Sequence, residues 1–484
     1  MSSMKSALQE EIVGKLAKIV APEYVTTDEN RLDELSWDAL SEGRLHPANR
    51  PEVTTPFCSV LPASTDEVRQ IVLLANEKKV PIIPYGGGSG LMGGALSVQA
   101  GIVVDLRRMD QIFDVDPPAR SARVQAGTVL EELEKRLGRE GFILGHDPWT
   151  LPVATVGGAI STNSMGYRGG LYGSMGDQVL GLEAVLPDGE VLRTRAVAKS
   201  SAGIDLKSLL IGGEGCFGII TEATIRIFPA PEERVLHALR FESFEVGYNA
   251  IQELFHQRVE PAVLDFGDAD VKFQGGAILY LGFEGNREVV EAEERRALSV
   301  CERFGAKGLP QKEAERFWND RHEIARRFIQ NRRQRRERGT DGVYRDWIHV
   351  ALPASKVLSF RAAAMEIAQK RGVQVLESGL WIQPELFSMP LGIQDDGTNK
   401  AQLVLEETVD ELLHLVHEMG GSMEYTHGVG VKLAPLMDEE HGYGAEVAPD
   451  QENAGSQWDN ESRENGLIVT PRQRLKGGGR SCVA

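Results

Sequence analysis

Cysteine is scarce in this chain of 484 residues, which contains only four. Cys58, Cys216, Cys301 and Cys482 form no CxxC pair and lie far apart in the sequence. Such spacing is typical neither of a zinc knuckle nor of a disulfide framework, so we expect free thiols in a reducing compartment. A cytoplasmic location is the expectation, with the surface of a membrane or an organelle left open.

Positive charge and long apolar runs are also in short supply. Lys and Arg number 53 against 71 Asp and Glu, which gives a formal net charge of −18 and argues against nucleic acid as a partner. The apolar runs are too short to cross a bilayer, and charges interrupt the N-terminal segment where a signal peptide needs an apolar core. With 42% hydrophobic and 26% charged residues, the composition predicts a globular protein without an integral membrane segment.

Glycine, by contrast, is plentiful and unevenly placed. Its 52 residues form dense clusters at 86–94, 157–181 and 212–218. Helix and strand patterns alternate up to about residue 230, beginning with a capping box at Ser64 and Glu67 and the apolar run VPIIPY. Beyond Pro231, strand-like runs such as RVLHALRFE and GGAILYLGFEG alternate with helices, which predicts a second α+β unit.

The first glycine cluster, PYGGGSGLMGG, could bind a phosphate group. Gly88 to Gly93 matches GxGxxG, but the segment runs on into another strand, whereas a Rossmann fingerprint must open a helix. A P-loop is also excluded, because no lysine occurs between Lys79 and Lys135. A tight turn needs far fewer glycines, so we expect a loop whose backbone N–H groups form an anion nest.

Three glycine-rich segments stand in a specific order: PYGGGSG, ATVGGAI and GGEGCFGIIT. Together they resemble the FAD-binding domain of the vanillyl-alcohol oxidase superfamily, in the branch with an FAD-linked oxidase cap. That branch includes the glycolate oxidase FAD subunit, D-lactate and D-2-hydroxyglutarate dehydrogenases, and alkyldihydroxyacetonephosphate synthase. The resemblance covers about residues 50 to 447. It implies an α+β protein with a two-subdomain PCMH-type FAD-binding domain and an α+β cap domain that has a central antiparallel sheet.

The resemblance divides the chain into five segments. They are a helical segment packing on the FAD domain (1–55), the FAD-binding domain (56–231), the cap (232–415), a return segment to the flavin (416–447) and a polar, mostly unstructured tail (448–484). The residues expected to bind FAD are Pro84, Gly86, Gly87, Gly88, Ser89, Gly90, Pro148, Thr155, Gly158, Ser161, Gly166 and Ile220. Since no His or Cys lies within Gly86–Gly94, noncovalent FAD is expected.

One histidine carries the predicted chemistry. In GGSMEYTHGVGVKL, His427 precedes a glycine turn, and the segment resembles the family's GGS…HG[IV]G motif, whose histidine faces flavin and substrate. Its ordinary pKa near 6.5 suits a base for a donor hydroxyl, although a lone histidine is more often structural. Glu424 or Tyr425 is expected to orient the imidazole or to contact a substrate oxygen.

Two arginines are candidates for binding the substrate. Arg321, in FWNDRHEIARR, resembles the family's W-x-x-R arginine and could hold a carboxylate, although the alternative is a solvated helix on an Arg-rich stretch. Arg345 lies in a strand that resembles the flavin-facing strand of the cap, where alternation puts Tyr344 and Asp346 on one face and Arg345 and His349 on the other.

The same resemblance argues against a metal. Metal-binding members carry an acid directly before the histidine and a GHxGDGNxH segment, whereas this chain has Thr426 and no such segment. The leading expectation is an FAD-dependent oxidoreductase that oxidises a small alcohol or hydroxy acid. A flavin-dependent transferase, an inactive flavin-binding homologue and a module without flavin are the alternatives. The electron acceptor and the oligomeric state stay open, with a homodimer among the arrangements considered.

Overall fold

The computed structural model describes residues 2–41, 44, 53–268, 276–330 and 342–442. The predicted tail at 448–484 and the basic segment that follows Gln330 lie outside the described residues. Within them the chain forms two small sheets with helices, then a large sheet with its own helices, each over a separate apolar core.

The first sheet is mainly parallel and has the strand order β1-β2-β4-β3. Its strands are β1 (Val25–Thr26), β2 (Cys58–Val60), β3 (Ile82–Tyr85) and β4 (Ile102–Asp105). Its helices are α1 (Ser2–Val20), α2 (Glu29–Leu35) and α3 (Thr65–Lys78). The predicted N-cap of α3 is present, because Ser64 Oγ accepts from Glu67 N at 3.2 Å, and the Glu67 carboxylate accepts from Ala63 N at 2.7 Å, one residue before the cap. Buried Ile12 of α1 and Ile71 of α3 share one core, so the N-terminal helix packs on this layer.

The second sheet is antiparallel, in the order β5-β6-β10-β8-β9. Its strands are β5 (Ile112–Asp116), β6 (Ser121–Gln125), β8 (Val179–Val185), β9 (Val191–Arg193) and β10 (Ile219–Arg226), with β7 (Phe142–Ile143) paired to β11 (Phe228–Pro229) beside it. Helices α4 (Leu130–Gly138), α5 (Val156–Ser161) and α6 (Gly169–Tyr172) accompany it. The sequence Pro187-Asp188-Gly189, which is typical of a hairpin turn, joins β8 to β9, and Gly189 has φ +83°.

The third sheet belongs to the cap and is antiparallel, as expected. Its path is β15-β12-β14-β13-β18-β19-β16, and β17 pairs with β19. The strands are β12 (Glu233–Phe241), β13 (Val263–Gly267), β14 (Ala277–Gly285), β15 (Lys307–Gly308), β16 (Val343–Ala351), β17 (Gln374–Val375), β18 (Gly379–Trp381) and β19 (Leu386–Gln394). The helices are α7 (Phe244–His256), α8 (Arg287–Arg303), α9 (Gln311–Asp320), α10 (Glu323–Gln330), α11 (Val357–Arg371) and α12 (Asn399–Glu418).

After α12 the chain returns to the first half of the molecule. Residues 421–430, which we call the return loop, run beside β16: Ala351 and Ser422 exchange two backbone hydrogen bonds, and Tyr425 N donates to His349 O at 3.2 Å. The loop ends in two short helices, α13 (Gly430–Leu433) and α14 (Met437–Glu440). The cap is thereby closed against the glycine-rich half.

Candidate functional site

The glycine loop begins where strand β3 ends. A β-carbon on Gly86 would lie under 3.0 Å from Thr155 Oγ1, and one on Gly87 would lie under 3.0 Å from Val153 O. Gly88 has φ +59°, a conformation that residues with side chains rarely adopt. The loop therefore packs backbone against the segment before α5 and leaves its other side bare for a ligand.

Helix α5 presents a second wall without bulky side chains. Thr155 caps its first turn, since its Oγ1 accepts from Gly158 N at 3.3 Å. A β-carbon on Gly157 would lie 2.8 Å from Ala126 Cβ, so only glycine allows this helix to approach β6 so closely. The predicted ATVGGAI segment is thus a short capped helix facing the glycine loop.

Loop and helix enclose a large cleft. Its empty volume is about 1220 Å³, which includes the part of the cleft that is open to solvent. The predicted FAD-binding residues that line it are Pro84, Gly86, Gly87, Gly88, Ser89, Gly90, Pro148, Thr155, Gly158, Ser161 and Ile220. Gly166 does not line the cleft; a β-carbon there would lie 2.6 Å from Asp147 N, so Gly166 packs against the backbone of Asp147 instead. Bare backbone beside a flat, small-residue wall fits the diphosphate and rings of a dinucleotide.

His427 of the return loop lines the same cleft. The carboxylate of Glu424 organises this loop, because its Oε1 accepts from the backbone N–H groups of Tyr425, Thr426 and His427 at 3.0, 2.7 and 2.9 Å. The same oxygen lies 3.5 Å from His427 Nδ1. Thr426 Oγ1 accepts from Met165 N at 3.3 Å and ties the loop to the glycine-rich half. The structure therefore gives Glu424, rather than Tyr425, the position next to the imidazole.

A second histidine packs against the first. The His349 and His427 rings are 4.5 Å apart at an interplanar angle of 70°. His349 Nδ1 lies 2.7 Å from Ser388 Oγ, which lies 2.9 Å from the Tyr425 hydroxyl. Burial, and then the nearby charge of a protonated His427, lower the pKa of His349 well below its ordinary value. His349 is therefore neutral at physiological pH. The Tyr425 hydroxyl belongs to the hydrogen-bonded row that runs through Ser388 to His349 and makes no hydrogen bond to His427.

The structure holds the two predicted arginines in contacts outside the lining of the cleft. Arg321 Nε donates to Asp147 Oδ2 at 3.0 Å, its NH1 donates to Trp318 O at 2.6 Å, and its guanidinium lies over the Trp318 ring. His322 Nε2 lies 2.9 Å from the other Asp147 oxygen. Arg345 has an exposed side chain, as the predicted alternation of β16 requires. Neither arginine is among the residues that line the cleft, and a substrate role for either stays a prediction.

Sequence reasoning missed Glu214, a carboxyl group that also lines the cleft. It belongs to the third glycine cluster and has φ +45°, so it occupies a turn position that glycine usually fills. Burial, together with the charges of Asp38 and Glu424, raises the pKa of Glu214 to about 7, although backbone N–H groups of Gly430 and Val429 oppose this. The signal available in the sequence was a charged residue in the middle of the glycine cluster GGEGCFG.

It also missed a buried ionic cluster behind the cleft. Arg44 Nε donates to Asp346 Oδ1 at 2.7 Å, and Lys432 pairs with Asp346 Oδ2. Arg44 NH1 donates to Leu91 O at 2.8 Å, so the cluster joins the glycine loop to the cap and to α13. Burial alone would raise the pKa of Asp346, but the charges of Lys432 and Arg44 outweigh it and hold the pKa below its ordinary value.

No group of three or more His, Cys, Asp or Glu side chains in the described residues is arranged to hold a metal ion. The expectation of a metal-free site stays a prediction. Across the same residues, none of the helices combines the length and the apolar character that a membrane span requires.

The glycine loop and the antiparallel cap each lie in a segment that a known family matches. The family described as FAD binding domain matches residues 56–195, and the family described as FAD linked oxidases, C-terminal domain, matches residues 230–446. The chain belongs to the FAD-linked oxidase family and is an FAD-linked oxidoreductase. The expected family, the fold class and FAD as cofactor are thereby confirmed.

Named relatives extend over most of the chain. The D-lactate dehydrogenase of Archaeoglobus fulgidus is 30% identical over 443 residues, which cover 88% of this chain and 92% of that protein. The glycolate oxidase subunit GlcD of Bacillus subtilis is 28% identical over 422 residues, covering 83% and 87%. The solved structure of p-cresol methylhydroxylase with substrate bound has a TM-score of 0.71 at 18% identity, covering 90% of this chain and 92% of that one, and shows a shared fold.

Proposed function

We propose that this protein oxidises a small CH–OH donor, a hydroxy acid or another alcohol, with noncovalently bound FAD and with His427 as the base. The observation that carries the proposal is the position of His427. Its imidazole lines the cleft that the glycine loop forms, and its Nδ1 lies 3.5 Å from a carboxylate held by three backbone N–H groups. Bound FAD supplies the acceptor for the hydride at N5 of its ring system.

The residues around His427 suit it to accept a proton from a donor hydroxyl. Because Nδ1 lies on the side of Glu424, Nε2 is the nitrogen available to take that proton. The imidazolium then lies beside a carboxylate, which stabilises the new charge. His349 packs against the ring and its lowered pKa keeps it neutral, which leaves His427 as the member of the pair that accepts the proton.

The class of donor is supported by the relatives. Two proteins that match most of this chain are named for D-lactate and for glycolate, both small 2-hydroxy acids. The noncovalent attachment is supported by the glycine loop, because Gly86–Gly94 offers no His or Cys side chain for a bond to flavin. Heating the yellow protein should therefore release the flavin into the supernatant, and flavin retained on the denatured chain would contradict this part of the proposal.

The test compares His427→Ala with the wild type in anaerobic flavin reduction by a panel of hydroxy acids and neutral alcohols. We expect the variant to keep its flavin spectrum while the reduction rate falls about a hundredfold or more, the usual size of a general-base effect. His256→Ala is the matched control, because His256 is an exposed histidine of α7 that does not line the cleft. An unchanged reduction rate in His427→Ala would remove this residue from the role of base. A wild type that no hydroxylic donor reduces would overturn the proposed reaction.

A further inference from the structure

Glu214 lies where the glycine loop and the return loop meet. Its Oε2 accepts from Gly430 N at 2.8 Å. A β-carbon on Gly428 would lie under 3.0 Å from Glu214 Oε1, and one on Gly94 would lie 3.4 Å from the same oxygen. The carboxyl group is therefore wedged between the two loops and in contact with both. Its hydrogen-bond partner Gly430 lies three residues along the chain from His427.

The return loop needs this contact for two reasons. Gly430 begins the four-residue helix α13, so its N–H has no acceptor within the helix and depends on an outside oxygen. Gly428 has φ +85° and carries no side chain that could hold its own position. Glu424 fixes the middle of the loop through three N–H groups, while Glu214 fixes its end.

We propose that Glu214 is a positioning residue that fixes the end of the return loop, and with it His427, against the flavin cleft. The side chain acts as a hydrogen-bond acceptor and a wedge, so its negative charge is dispensable while its shape and its acceptor oxygen are not. The inference rests on the proposed function only where it names His427 as the base. The contact between Glu214 and the loop can be tested without any donor.

The first test measures backbone hydrogen exchange of residues 426–433 in the protein free of FAD. Glu214→Ala removes the acceptor of Gly430 N–H, and we expect exchange in this segment to become about tenfold faster, in line with the loss of one hydrogen bond. Glu214→Gln keeps an acceptor oxygen on a side chain of the same length, so the exchange rate of residues 426–433 should stay within about threefold of the wild-type rate. Equal exchange in the wild type and Glu214→Ala would overturn the proposal, and so would a Gln variant as fast as the Ala variant.

The second test measures flavin reduction by a donor in the FAD-loaded protein. Glu214→Ala should lower the limiting reduction rate by about tenfold with a smaller change in the donor concentration at half saturation, and Glu214→Gln should restore most of it. A wild-type rate in Glu214→Ala would refute the positioning role. If no donor reduces the wild type, the proposed function fails, and hydrogen exchange still decides the role of Glu214.

A steric variant tests the same contact from the other side. Gly428→Ala places a methyl group against the Glu214 carboxyl, whereas Gly420→Ala, the control, has a similar φ of +78° with no atom within 4 Å. We expect Gly428→Ala to speed exchange in residues 426–433 well beyond Gly420→Ala, and to do so less in a Glu214→Ala background. If the effects of the two substitutions on the exchange rate are additive in the double variant, Glu214 and Gly428 act separately, and the proposed contact between them is refuted.

Discussion

Asp346 holds two buried cations at once, and its replacement should destabilise the protein strongly. Its side chain is 1% exposed, and its oxygens pair with Arg44 and Lys432, which are 2% and 7% exposed. Asp346→Asn preserves the shape but removes the negative charge, which leaves two cations in a water-poor site. Arg44 also binds the glycine loop through Leu91 O, so the damage should extend to the flavin cleft.

The size of the effect follows from the cost of an unpaired buried charge. Breaking a buried ion pair on one side costs about 3–5 kcal/mol. For a cap of roughly two hundred residues, each kcal/mol lowers Tm by about 2–4 °C, so a decrease of roughly 10 °C is expected. Lys432→Met in the Asp346→Asn background removes one unpaired cation and should recover part of this loss.

Thermal unfolding with flavin release is the assay, and Glu366→Gln is the control. Glu366 is exposed on α11 and pairs with Lys370, also exposed, so its loss should change stability by less than about 0.5 kcal/mol. The pKa of folded Asp346 is lowered, so its contribution is present above the unfolded pKa near 4 and is lost as the pH falls. The difference in Tm between the wild type and Asp346→Asn should therefore become smaller at acidic pH. A Tm for Asp346→Asn equal to that of Glu366→Gln would refute the reasoning.

Two further predictions concern the cleft and the thiols. Gly87→Ala puts a methyl group against Val153 O and should weaken FAD binding by about tenfold or more in a fluorescence titration, while Gly138→Ala, with open space around it, should bind FAD like the wild type. Burial raises the pKa of Cys58 and of Cys301 to about 12, so neither thiol should react with iodoacetamide at pH 8 until the protein unfolds; rapid labelling of the native protein would contradict their burial.

Local signals in the sequence were enough for much of the fold. The start of α3, the strand β3 and the turn at Gly189 follow from caps, β-branched runs and turn residues, which act over a few positions. Strand β19 was missed because it contains Pro390, which usually excludes a central strand. Pro390 falls between the part of β19 that pairs with β18, up to Ser388, and the part that pairs with β17, from Leu391.

The segment TVLEELEKRLGREG predicts a helix that Gly138 closes, and this prediction is only partly right. Gly138 is the last residue of α4, but the chain reverses with positive φ at Gly141. The prediction depended on choosing between two nearby glycines of equal local propensity. Packing against β7, which follows directly, decides the position of the reversal.

The candidate site shows where local signals stop. Backbone cradles such as Gly86–Gly90 are visible in composition, because a ligand that approaches main chain excludes side chains over several consecutive residues. Composition does not show which charged side chains pair with each other. The pairing of Arg321 with Asp147, and of Glu214 with Gly430, joins residues far apart in the chain, and only the folded sheets bring them together. Arg321 thus resembles a substrate ligand by motif while its guanidinium is held by another side chain.

The return loop makes the order of folding matter for this protein. The glycine loop lies early in the chain, and His427 is reached only after the whole cap has been passed. Domains generally fold as units during synthesis, the N-terminal one first. On the ribosome the glycine loop is therefore synthesised before His427, and the contacts of Glu214 with Gly430 and of Met165 with Thr426 form late. Truncation of the chain before the return loop would therefore leave the glycine loop without His427 and without the contacts that Gly430 and Thr426 make.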